Sequence, residues 1–367
     1  MELKNVFFNA EDFNPTSKTL GEGTFGRVFL VKNPKKKKFI AKSIKIEDGF
    51  NGNDQMTLIQ ESITFHKLNH PSIIKFLGIN FQSFEDQEKF SPTILTEFIP
   101  YDSLRGLFDN DDEDWNSTKK YIALLGISSA MKYLHKHKIL HLQLKPENII
   151  IDGDYYPHIS DYGLSKCFPK LQSKSIQIAK RRKIGSLMYM APEMLEDNEY
   201  NEEEDNCHYG AAADVYAFGI LAYQIVTGKA PFSEFNKISP KKLTNKVMSG
   251  YRPVIDSDIS KKMKRLILRC LSQDAKERPT FDEIFSKLST DFSYFNDEID
   301  EDEINEYLEK LSESEEKITK NKECDENILY TQNNLTEERN CYEEMIKTLS
   351  SRIQNLQEIK IKGIFIL

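Results

Sequence analysis

The chain has 367 residues, of which 39% are hydrophobic and 29% are charged. This length allows one large or two medium domains, and the composition fits a soluble protein with a packed core. No run approaches the roughly 20 apolar residues that a membrane-spanning helix needs. Residues 1–12, which we interpret as a leader, lack the basic-then-apolar pattern of a secretory signal.

Cysteine usage and charge narrow the function classes further. The five cysteines are widely spaced and form no C-x-x-C pair, which favours a reduced, cytoplasmic or nuclear setting without disulfides or zinc. Residues 293–367 contain 9 Lys/Arg and 19 Asp/Glu, which gives a net charge of −10. Residues 1–292 contain 41 Lys/Arg and 39 Asp/Glu, which gives a net charge of +2. A near-neutral globular part is thus followed by an acidic tail. Neither part has the basic excess of a nucleic-acid-binding surface.

The first informative segment, residues 20–28, reads Leu-Gly-Glu-Gly-Thr-Phe-Gly-Arg-Val and lies between two β-prone runs. Three glycines in a hairpin turn let backbone amides approach phosphate oxygens without obstruction by Cβ atoms. The same G-x-G-x-x-G spacing opens a helix in dinucleotide-binding proteins, but here Val28–Val31 continues as a strand. The segment indicates a phosphate-binding hairpin, and a glycine-bearing hairpin without function is the ordinary alternative.

Residues 39–42, Phe-Ile-Ala-Lys, predict a third strand that ends in a lysine. Nineteen residues later Glu61 opens an amphipathic pattern, which predicts a helix that ends at His70-Pro71. Taken singly, Lys42 would be a solvated lysine and Glu61 a surface partner worth only about 0.3 kcal/mol. Their order after the glycine-rich segment favours a functional pair.

Two further strands are predicted at residues 73–79 and 93–98, with the polar stretch 82–91 as the turn between them. Helical periodicity over residues 121–136 then leads to His141.

The stretch from His141 to Asn148 reads His-Leu-Gln-Leu-Lys-Pro-Glu-Asn. An apolar strand, residues 149–151, follows it, and Asp161-Tyr162-Gly163 comes next. The amide oxygen of Asn148 and the carboxylate of Asp161 are hard ligands of the kind that Mg²⁺ prefers. Each of these side chains could singly be a polar turn residue, but the set in this order favours a functional site.

These segments, in this order, resemble the phosphate loop, catalytic loop and metal-binding loop of a protein kinase. Three later motifs extend the resemblance: Met-Ala-Pro-Glu at 190–193, Asp-Val-Tyr-Ala-Phe-Gly at 214–219, and Arg-Pro at 278–279. Their style is similar to the tyrosine-kinase-like group of serine/threonine kinases. Lys145 also favours the serine/threonine type by resemblance.

The resemblance covers residues 13–292. It implies an α+β, bilobal fold with a small β-rich N-lobe at residues 13–98 and a large, mainly helical C-lobe at residues 99–292. It also implies ATP and Mg²⁺ as cofactors and a protein as substrate or partner.

The resemblance assigns roles to individual residues. ATP would contact Leu20, Gly21, Gly23, Gly26, Val28, Ala41, Lys42, Glu61, Thr96, Glu97, Ile99 and Ile150. Lys42 would bind the α- and β-phosphates and pair with Glu61, and Thr96 would be the gatekeeper. Asn148 and Asp161 would hold Mg²⁺, and Lys145 would reach the γ-phosphate. The structural positions would be His141, Tyr162, Gly163, Glu193, Asp214 and Arg278.

The catalytic loop departs from the family pattern at one critical position. Gln143 stands where the family places the aspartate that accepts the substrate hydroxyl proton, and Leu142 replaces the adjacent arginine. Tyr162 replaces phenylalanine, a mild change that keeps an aromatic side chain. Because that arginine normally binds a phosphorylated activation loop, we expect no phosphate-controlled switching through this pairing.

Residues 161–193 would form the activation segment, which contains Ser173, Ser175 and a basic cluster at 180–183. The basic cluster could contact an acidic substrate or partner, or it could be a solvated loop. An acidic insertion, residues 196–208, follows the segment.

The acidic tail, residues 293–362, has apolar residues at heptad spacing, and residues 363–367 are wholly apolar. Its later apolar positions are Leu335, Tyr342, Ile346, Leu349, Ile353 and Leu356, and its earlier ones are Ile304, Leu308, Leu311 and Ile318. The spacing predicts a coiled coil and hence an oligomer. A helix folded back on the C-lobe, or partial disorder, is the alternative.

Together these observations predict a kinase-family domain that binds Mg-ATP but transfers phosphate poorly because Gln143 replaces the catalytic aspartate. It would act through its conformation and coiled-coil partners. Two rival hypotheses are an active serine/threonine kinase and a scaffold that binds no nucleotide. Neither a nucleic acid nor a membrane is an expected partner.

Overall fold

A computed structural model describes residues 6–22, 25–45, 52–82, 90–110, 112–168, 184–196, 210–235, 238–255 and 258–326. The chain forms two compact units. The first contains the described residues within 1–68, 75–98 and 315–367, and the second contains those within 69–74 and 99–314.

The first unit is a five-stranded antiparallel sheet with one helix. Its elements are β1 (Asn14–Glu22), β2 (Gly26–Lys32), β3 (Lys38–Ile44), α1 (Gly52–Lys67), β4 (Phe76–Gln82) and β5 (Phe90–Glu97). The strands lie in the order β1-β2-β3-β5-β4. The strands predicted at 28–31, 39–42 and 93–98 are confirmed. The strand predicted at 73–79 begins only at Phe76.

One face of this sheet forms a small apolar core. Phe29, Val31, Phe39, Ala41 and Leu95 are buried together on it, since paired strands place alternate residues on the same side. The Phe13 ring packs edge-on against Phe39, with 5.4 Å between the ring centroids. The β-branched and aromatic residues of β2 and β3 therefore stabilise the sheet by burying this face.

Helix α1 begins earlier than the sequence pattern predicted. It starts at Gly52 rather than at Glu61, because Leu58 and Ile59 are also buried and extend its apolar face. It ends at Lys67, before Pro71, which disfavours helical backbone at the residue that precedes it. Phe65 packs edge-on against Phe76 of β4, with centroids 5.8 Å apart.

The second unit is mainly helical and contains a small sheet of β6 (Asp102–Ser103), β7 (Ile149–Ile151) and β8 (Pro157–Ile159). Its first helices are α2 (Leu104–Asn110), α3 (Ser117–Lys136), α4 (Leu164–Cys167), α5 (Ile184–Leu187) and α6 (Pro192–Leu195). Its later helices are α7 (Ala211–Thr227), α8 (Pro240–Met248), α9 (Lys261–Cys270) and α10 (Phe281–Thr290), and it also contains the part of α11 (Glu301–Glu326) up to residue 314. The helix predicted over 121–136 is confirmed, and its first turn begins where the Asn116 side chain accepts a hydrogen bond from Lys119 N–H.

Helices α3 and α7 form the centre of this unit. Most residues of both are buried, because α10 packs on α3 and α9 packs on α7. Asp214, in the first turn of α7, is a fully buried carboxylate, 0% exposed. A buried carboxylate is costly without hydrogen-bond donors, so its surroundings must supply them.

The beginning of the acidic tail belongs to the second unit. Ile304, Tyr307 and Leu311 of α11 are buried. The Tyr307 hydroxyl hydrogen-bonds the Ser72 hydroxyl at 2.7 Å, and its ring stacks on Tyr156 with centroids 4.5 Å apart. In this part of α11 the apolar residues therefore pack on the helical unit, which extends to residue 314 and past the predicted boundary at 292. The heptad positions from Leu335 to Leu356 lie outside the described residues.

We expect Gly126→Ala to test this packing. A Cβ atom on Gly126 of α3 would lie 2.2 Å from the Tyr307 hydroxyl oxygen and 2.4 Å from Pro157 Cγ. Glycine to alanine in a helix ordinarily stabilises by up to about 1 kcal/mol. Here the clash should reverse the sign and lower the free energy of unfolding by roughly 1–3 kcal/mol, measured by urea denaturation.

The matched control is Gly153→Ala, because no atom lies within 4 Å of the Cβ position at Gly153. In a Tyr307→Ala background, which is itself destabilised by the lost core aromatic, Gly126→Ala should cost less than it does in the natural chain, since the two positions are in contact. A stabilising effect of Gly126→Ala alone would contradict the packing of α11.

His70 is a buried histidine in the loop before β4. Its Nδ1 accepts a hydrogen bond from Ser72 N–H at 3.1 Å, so Nε2 carries the proton and donates to the Ser129 hydroxyl, also at 3.1 Å. Burial lowers the pKa of His70 from 6.5 to about 3. The neutral ring is therefore the form that the fold accepts.

The unfolded chain binds a proton at this histidine below about pH 6.5, whereas the folded chain does not until about pH 3. Stability should therefore fall as the pH drops through this window. Between pH 6.5 and 4.5 the natural chain should lose about 2 kcal/mol more unfolding free energy than His70→Asn, by urea titration at each pH. Parallel losses in the two proteins would contradict a neutral His70.

Candidate active site

The glycine-rich segment lies at the turn between β1 and β2. Gly21 pairs with Val28, so the strands continue close to the turn, and Gly23 lies outside the described residues. A Cβ atom on Gly26 would lie 1.9 Å from the Ser43 carbonyl oxygen, so the close approach of β2 to β3 requires glycine there. No atom lies within 4 Å of the Cβ position at Gly21. The Cβ position at Gly21 is therefore open, as it is at Gly153, and a phosphate contact there stays a prediction.

One face of the same sheet carries Lys42. Residues directly opposite in antiparallel strands project to the same face. The register pairs Lys42 with Val28 on one side and with Ile94 on the other. Thr96 pairs with Ile40, two residues before Lys42, and therefore shares this face. The structure thus brings Val28, Lys42 and Thr96 together on one side of the sheet, as a nucleotide site needs.

Ala41 lies on the opposite face. It is fully buried in the apolar core with Phe29 and Phe39, so it is not a nucleotide contact from the face of Lys42. The residue that alternation places beside Lys42 is Ile40, which is half-buried. The structure therefore replaces Ala41 with Ile40 as the candidate. The sequence could have identified Ile40, because alternate residues of a strand share a face and Ile40 is two residues before Lys42.

The remaining predicted nucleotide contacts are distributed over both units. In the first unit, Leu20 is 54% exposed, and Glu61 is half-buried in the second half of α1. The Glu97 carboxylate accepts a hydrogen bond from the Lys75 backbone N–H at 2.6 Å. In the second unit, Ile99 and Ile150 are half-buried. The pairing of Lys42 with Glu61 stays a prediction.

The catalytic loop is held by Asp214. The carboxylate accepts the backbone N–H groups of His141 at 2.9 Å and of Leu142 at 2.7 Å. It also hydrogen-bonds His135 Nε2 at 2.9 Å. These donors satisfy the buried carboxylate and fix the start of the loop. His135 was not predicted, because a lone histidine near a helix end has no distinguishing sequence signal.

Further hydrogen bonds connect the loop internally. The buried His141 ring bonds the Ser160 carbonyl through Nε2 at 2.9 Å, and burial lowers its pKa. Its Nδ1 accepts Gln143 N–H at 3.3 Å. The Asn148 amide nitrogen donates to the Gln143 carbonyl at 2.9 Å, so the amide oxygen is the atom suited to a cation. Both backbone groups of Gln143, its N–H and its carbonyl, are thus held by hydrogen bonds.

Leu142 and Lys145 complete the loop. Leu142 is buried and has φ of +57°, a left-handed conformation that costs roughly 1–2 kcal/mol for an ordinary residue. The hydrogen bond from its amide to Asp214 compensates for this strain. The Lys145 ammonium donates to the Ser186 hydroxyl at 3.4 Å.

The segment Asp161-Tyr162-Gly163, which was predicted to bind the metal, lies after β8. Asp161 and Gly163 both have left-handed backbone, with φ of +63° and +71°. Tyr162 is buried, and its hydroxyl donates to the Ile74 carbonyl at 2.9 Å. The exchange of phenylalanine for tyrosine therefore adds a hydrogen bond to the buried aromatic contact.

Arg278 binds the glutamate of the Ala-Pro-Glu motif. Its guanidinium makes a bidentate pair with Glu193 at 2.7 and 2.8 Å, and it also donates to the carbonyls of Ala212 and Ser272. Stacking on the Tyr216 ring, at 5.2 Å, completes its burial. The pairing of Glu193 with Arg278 that the resemblance implied is present in the structure. Ser173, Ser175 and the basic cluster at 180–183 lie outside the described residues.

The sequence-family model for the protein kinase domain matches residues 15–288, which is more than half of the chain. The chain belongs to the protein kinase family. Members of this family typically use ATP and Mg²⁺. The bilobal architecture that the sequence predicted, a β-sheet N-lobe and a helical C-lobe, is therefore confirmed.

Several curated protein kinases are similar to this chain. Cysteine-rich receptor-like protein kinase 27 of Arabidopsis thaliana is 30% identical over 309 residues, 79% of this chain and 44% of its own length. The dual specificity protein kinase shkB of Dictyostelium discoideum is 30% identical over 279 residues, 75% of this chain and 39% of its own length. A putative serine/threonine-protein kinase/receptor of Acanthamoeba polyphaga mimivirus is 27% identical over 277 residues, 74% of this chain and 15% of its own length. The chain thus spans less than half of each relative.

The residues of the kinase C-lobe fit a magnesium ion. Asn148 offers an amide oxygen and Asp161 a carboxylate, and Mg²⁺ completes its six oxygen ligands with waters and substrate phosphates rather than with a protein cage. Among the described residues no cluster of three or more His, Cys, Asp or Glu forms an all-protein metal site. In the same part of the chain, no helix has the length and apolar composition that a membrane crossing requires.

We expect Asp214→Asn to destabilise the kinase domain. The amide keeps the shape but replaces one acceptor oxygen with a donor, which would face a backbone N–H of His141 or Leu142. Leaving a buried donor unsatisfied should lower the free energy of unfolding by roughly 3 kcal/mol, measured by urea denaturation.

The control is Asp282→Asn, where a carboxylate that is 74% exposed forms an ion pair with Lys132. A surface pair contributes about 0–1 kcal/mol, so this variant should unfold almost as the natural chain does. Equal losses in the two variants would contradict the role of Asp214.

Proposed function

We propose that this kinase domain binds Mg-ATP but transfers the γ-phosphate poorly, because Gln143 occupies the position of the catalytic aspartate. The observation that carries the proposal is the geometry around Gln143. Asp214, His141 and Asn148 hold the loop by hydrogen bonds to its backbone. The defect is therefore confined to one side chain rather than to a collapsed loop.

The chemistry of glutamine supports impaired transfer. Phosphoryl transfer passes through a loose transition state, so positioning and charge neutralisation provide most of the acceleration. The aspartate orients the acceptor hydroxyl and takes its proton, and such groups contribute about 10²–10⁴-fold. Glutamine is neutral, one methylene longer and no base at cellular pH. Starting from a typical ~1–100 turnovers per second, slow or undetectable transfer should remain.

Nucleotide binding does not require the missing carboxylate. Val28, Lys42 and Thr96 share one face of the N-lobe sheet, and Gly21 leaves space for a ligand. Asn148 and Asp161 provide the oxygen ligands for Mg²⁺. The groups that hold the phosphates and the metal are thus present in the chain.

The kinase type is part of the proposal. Lys145, two positions past Gln143, supports a serine/threonine type, and the motifs at 190–193, 214–219 and 278–279 support the tyrosine-kinase-like group. The relatives include serine/threonine and dual specificity kinases. Any substrate of this domain would thus be a protein hydroxyl.

A second candidate is an active serine/threonine kinase in which another group orients the hydroxyl. Lys145 and Ser186, which hydrogen-bond each other at 3.4 Å, are the nearby candidates, and neither is an effective base. A third candidate is a scaffold that binds no nucleotide. The phosphate-binding residues disfavour it.

Signalling would then proceed through conformation and partners. The heptad spacing from Leu335 to Leu356 supports a coiled coil and a homo- or hetero-oligomer. Because Ile304 and Leu311 are buried in the helical unit, we place the coiled coil after residue 314.

The decisive test compares the natural chain with Gln143→Asp. Both should bind Mg-ATP with similar affinity, because Gln143 takes no part in nucleotide binding. Restoring the carboxylate should raise peptide phosphorylation by about 10²–10⁴-fold. Lys42→Met in the Gln143→Asp background is the control and should remove the activity.

Brisk phosphorylation by the natural chain, removed by Lys42→Met, would instead establish an active kinase. A thermal-shift scan with Mg-ATP distinguishes the nucleotide-free scaffold from the two nucleotide-binding candidates. Ligand at about 100 times its Kd raises the unfolding free energy of a protein that binds it by about 2.7 kcal/mol. A melting temperature that ignores Mg-ATP would identify a nucleotide-free scaffold.

A further inference from the structure

Residues 69–74, which we call the connecting segment, lie between α1 and β4 in the chain and belong to the helical unit. Two side chains of this segment are anchored to helices. The His70 ring bonds the Ser129 hydroxyl of α3, and the Ser72 hydroxyl shares a hydrogen bond of 2.7 Å with the Tyr307 hydroxyl of α11. Ser72 is 0% exposed and Tyr307 is 1% exposed. A buried hydroxyl that loses its partner is costly, so this bond fixes the connecting segment to α11.

The backbone of the connecting segment holds the end of β8. The Ile159 N–H donates to the Ser72 carbonyl at 2.9 Å, and the Ile159 carbonyl accepts the Ile74 N–H at 2.9 Å. The Tyr162 hydroxyl donates to the Ile74 carbonyl, also at 2.9 Å. Residues on both sides of Asp161 are thus bonded to the same short segment.

The backbone of Asp161 is strained, and these contacts maintain the strain. Its φ of +63° lies in the left-handed region, which an ordinary residue adopts only where its surroundings fix it. The direction of a side chain follows from the conformation of its backbone. The placement of the Asp161 carboxylate, the proposed ligand of Mg²⁺, therefore depends on the connecting segment.

Tyr307 lies where the connecting segment meets β8. Its hydroxyl bonds Ser72, and its ring stacks on Tyr156, the residue before the first residue of β8. Tyr307 thus contacts both of the chain segments that the hydrogen bond from Ile159 to Ser72 joins. It also lies outside residues 15–288, which the kinase family model matches, so the tail of this chain supplies the contact.

We propose that Tyr307 is a positioning residue for Asp161. It acts through Ser72 and Ile159, so that the packing of α11 sets the affinity of the domain for Mg²⁺. This inference rests on the proposed function, in which Asp161 is a magnesium ligand. Loss of the Tyr307 hydroxyl removes the bond to the buried Ser72 hydroxyl and loosens the segment that fixes Asp161. A partner protein that withdraws α11 weakens magnesium binding by the same route.

The first test removes a single hydroxyl group. Tyr307→Phe keeps the ring that stacks on Tyr156 and loses only the bond to Ser72. The Mg²⁺ concentration that half-saturates ATP binding should rise about threefold to tenfold, measured by calorimetric ATP titrations at stepped Mg²⁺ concentrations. Ser72→Ala should give a similar rise. The double variant should be no worse than either single variant, because both remove the same interaction.

Two matched tyrosine variants separate positioning from stability. Tyr121→Phe removes a buried hydroxyl of α3 that donates to two carbonyls, one in α10 and one just after it. It should destabilise the helical unit without touching the connecting segment. Tyr156→Phe removes a hydroxyl that accepts a hydrogen bond from Lys310 of α11 at 3.0 Å. Both variants should keep the magnesium dependence of the natural chain, and urea denaturation measures the stability that each one loses.

Hydrogen exchange tests the positioning without any nucleotide. The Ile159 amide donates to the Ser72 carbonyl, so its exchange reports the opening of that contact. Its exchange rate relative to the amides of α7 should rise at least about threefold in Tyr307→Phe. The same ratio should stay unchanged in Tyr121→Phe. Mass spectrometry of peptides that contain Ile159 measures both.

The two measurements distinguish failure of this inference from failure of the proposed function. If the natural chain binds no Mg-ATP, the proposed function fails, and the exchange of the Ile159 amide decides whether Tyr307 positions Asp161. An unchanged exchange ratio in Tyr307→Phe overturns the inference. So does an unchanged magnesium dependence in a chain that binds Mg-ATP. An equal change in Tyr121→Phe would assign the effect to stability and refute it as well.

Discussion

The C-lobe depends on one buried carboxylate. Asp214 is inaccessible to water, and a charge in that position is tolerable only when donors surround it. The backbone amides of His141 and Leu142 are two of those donors. The same hydrogen bonds therefore set the shape of the loop and stabilise the buried carboxylate in the helical core. The strained backbone of Leu142 follows from this requirement and not from any property of leucine.

Because Asp214 holds the loop through its backbone, the fold can accept glutamine at position 143, where the family has aspartate. Asp214, His141 and Asn148 hold the loop through hydrogen bonds to its backbone. A substitution at position 143 changes the chemistry and leaves the architecture. Asn148 and Asp161, the proposed ligands of Mg²⁺, and the sheet face that carries Lys42 likewise involve residues other than Gln143.

The sequence predicted the strands, the central helix and the pairing of Glu193 with Arg278, because each depends on local periodicity or on a motif at fixed spacing. It misplaced the start of α1, since residues 52–55 are glycine and polar residues and the apolar Leu58 and Ile59, which are buried, were not counted in the helical pattern. Ala41 was misassigned because strand alternation was not applied to it. His135 and Tyr307 reach their partners only in the folded chain, so spacing could not predict their contacts.

Tyr162 gives the metal-binding segment a property that phenylalanine lacks. Its hydroxyl is bound to the Ile74 carbonyl inside the helical unit. If the ring swings out, that carbonyl loses its donor, at a net cost of about 1 kcal/mol. The buried placement of the ring is thus favoured about fivefold more than it would be for phenylalanine at the same position.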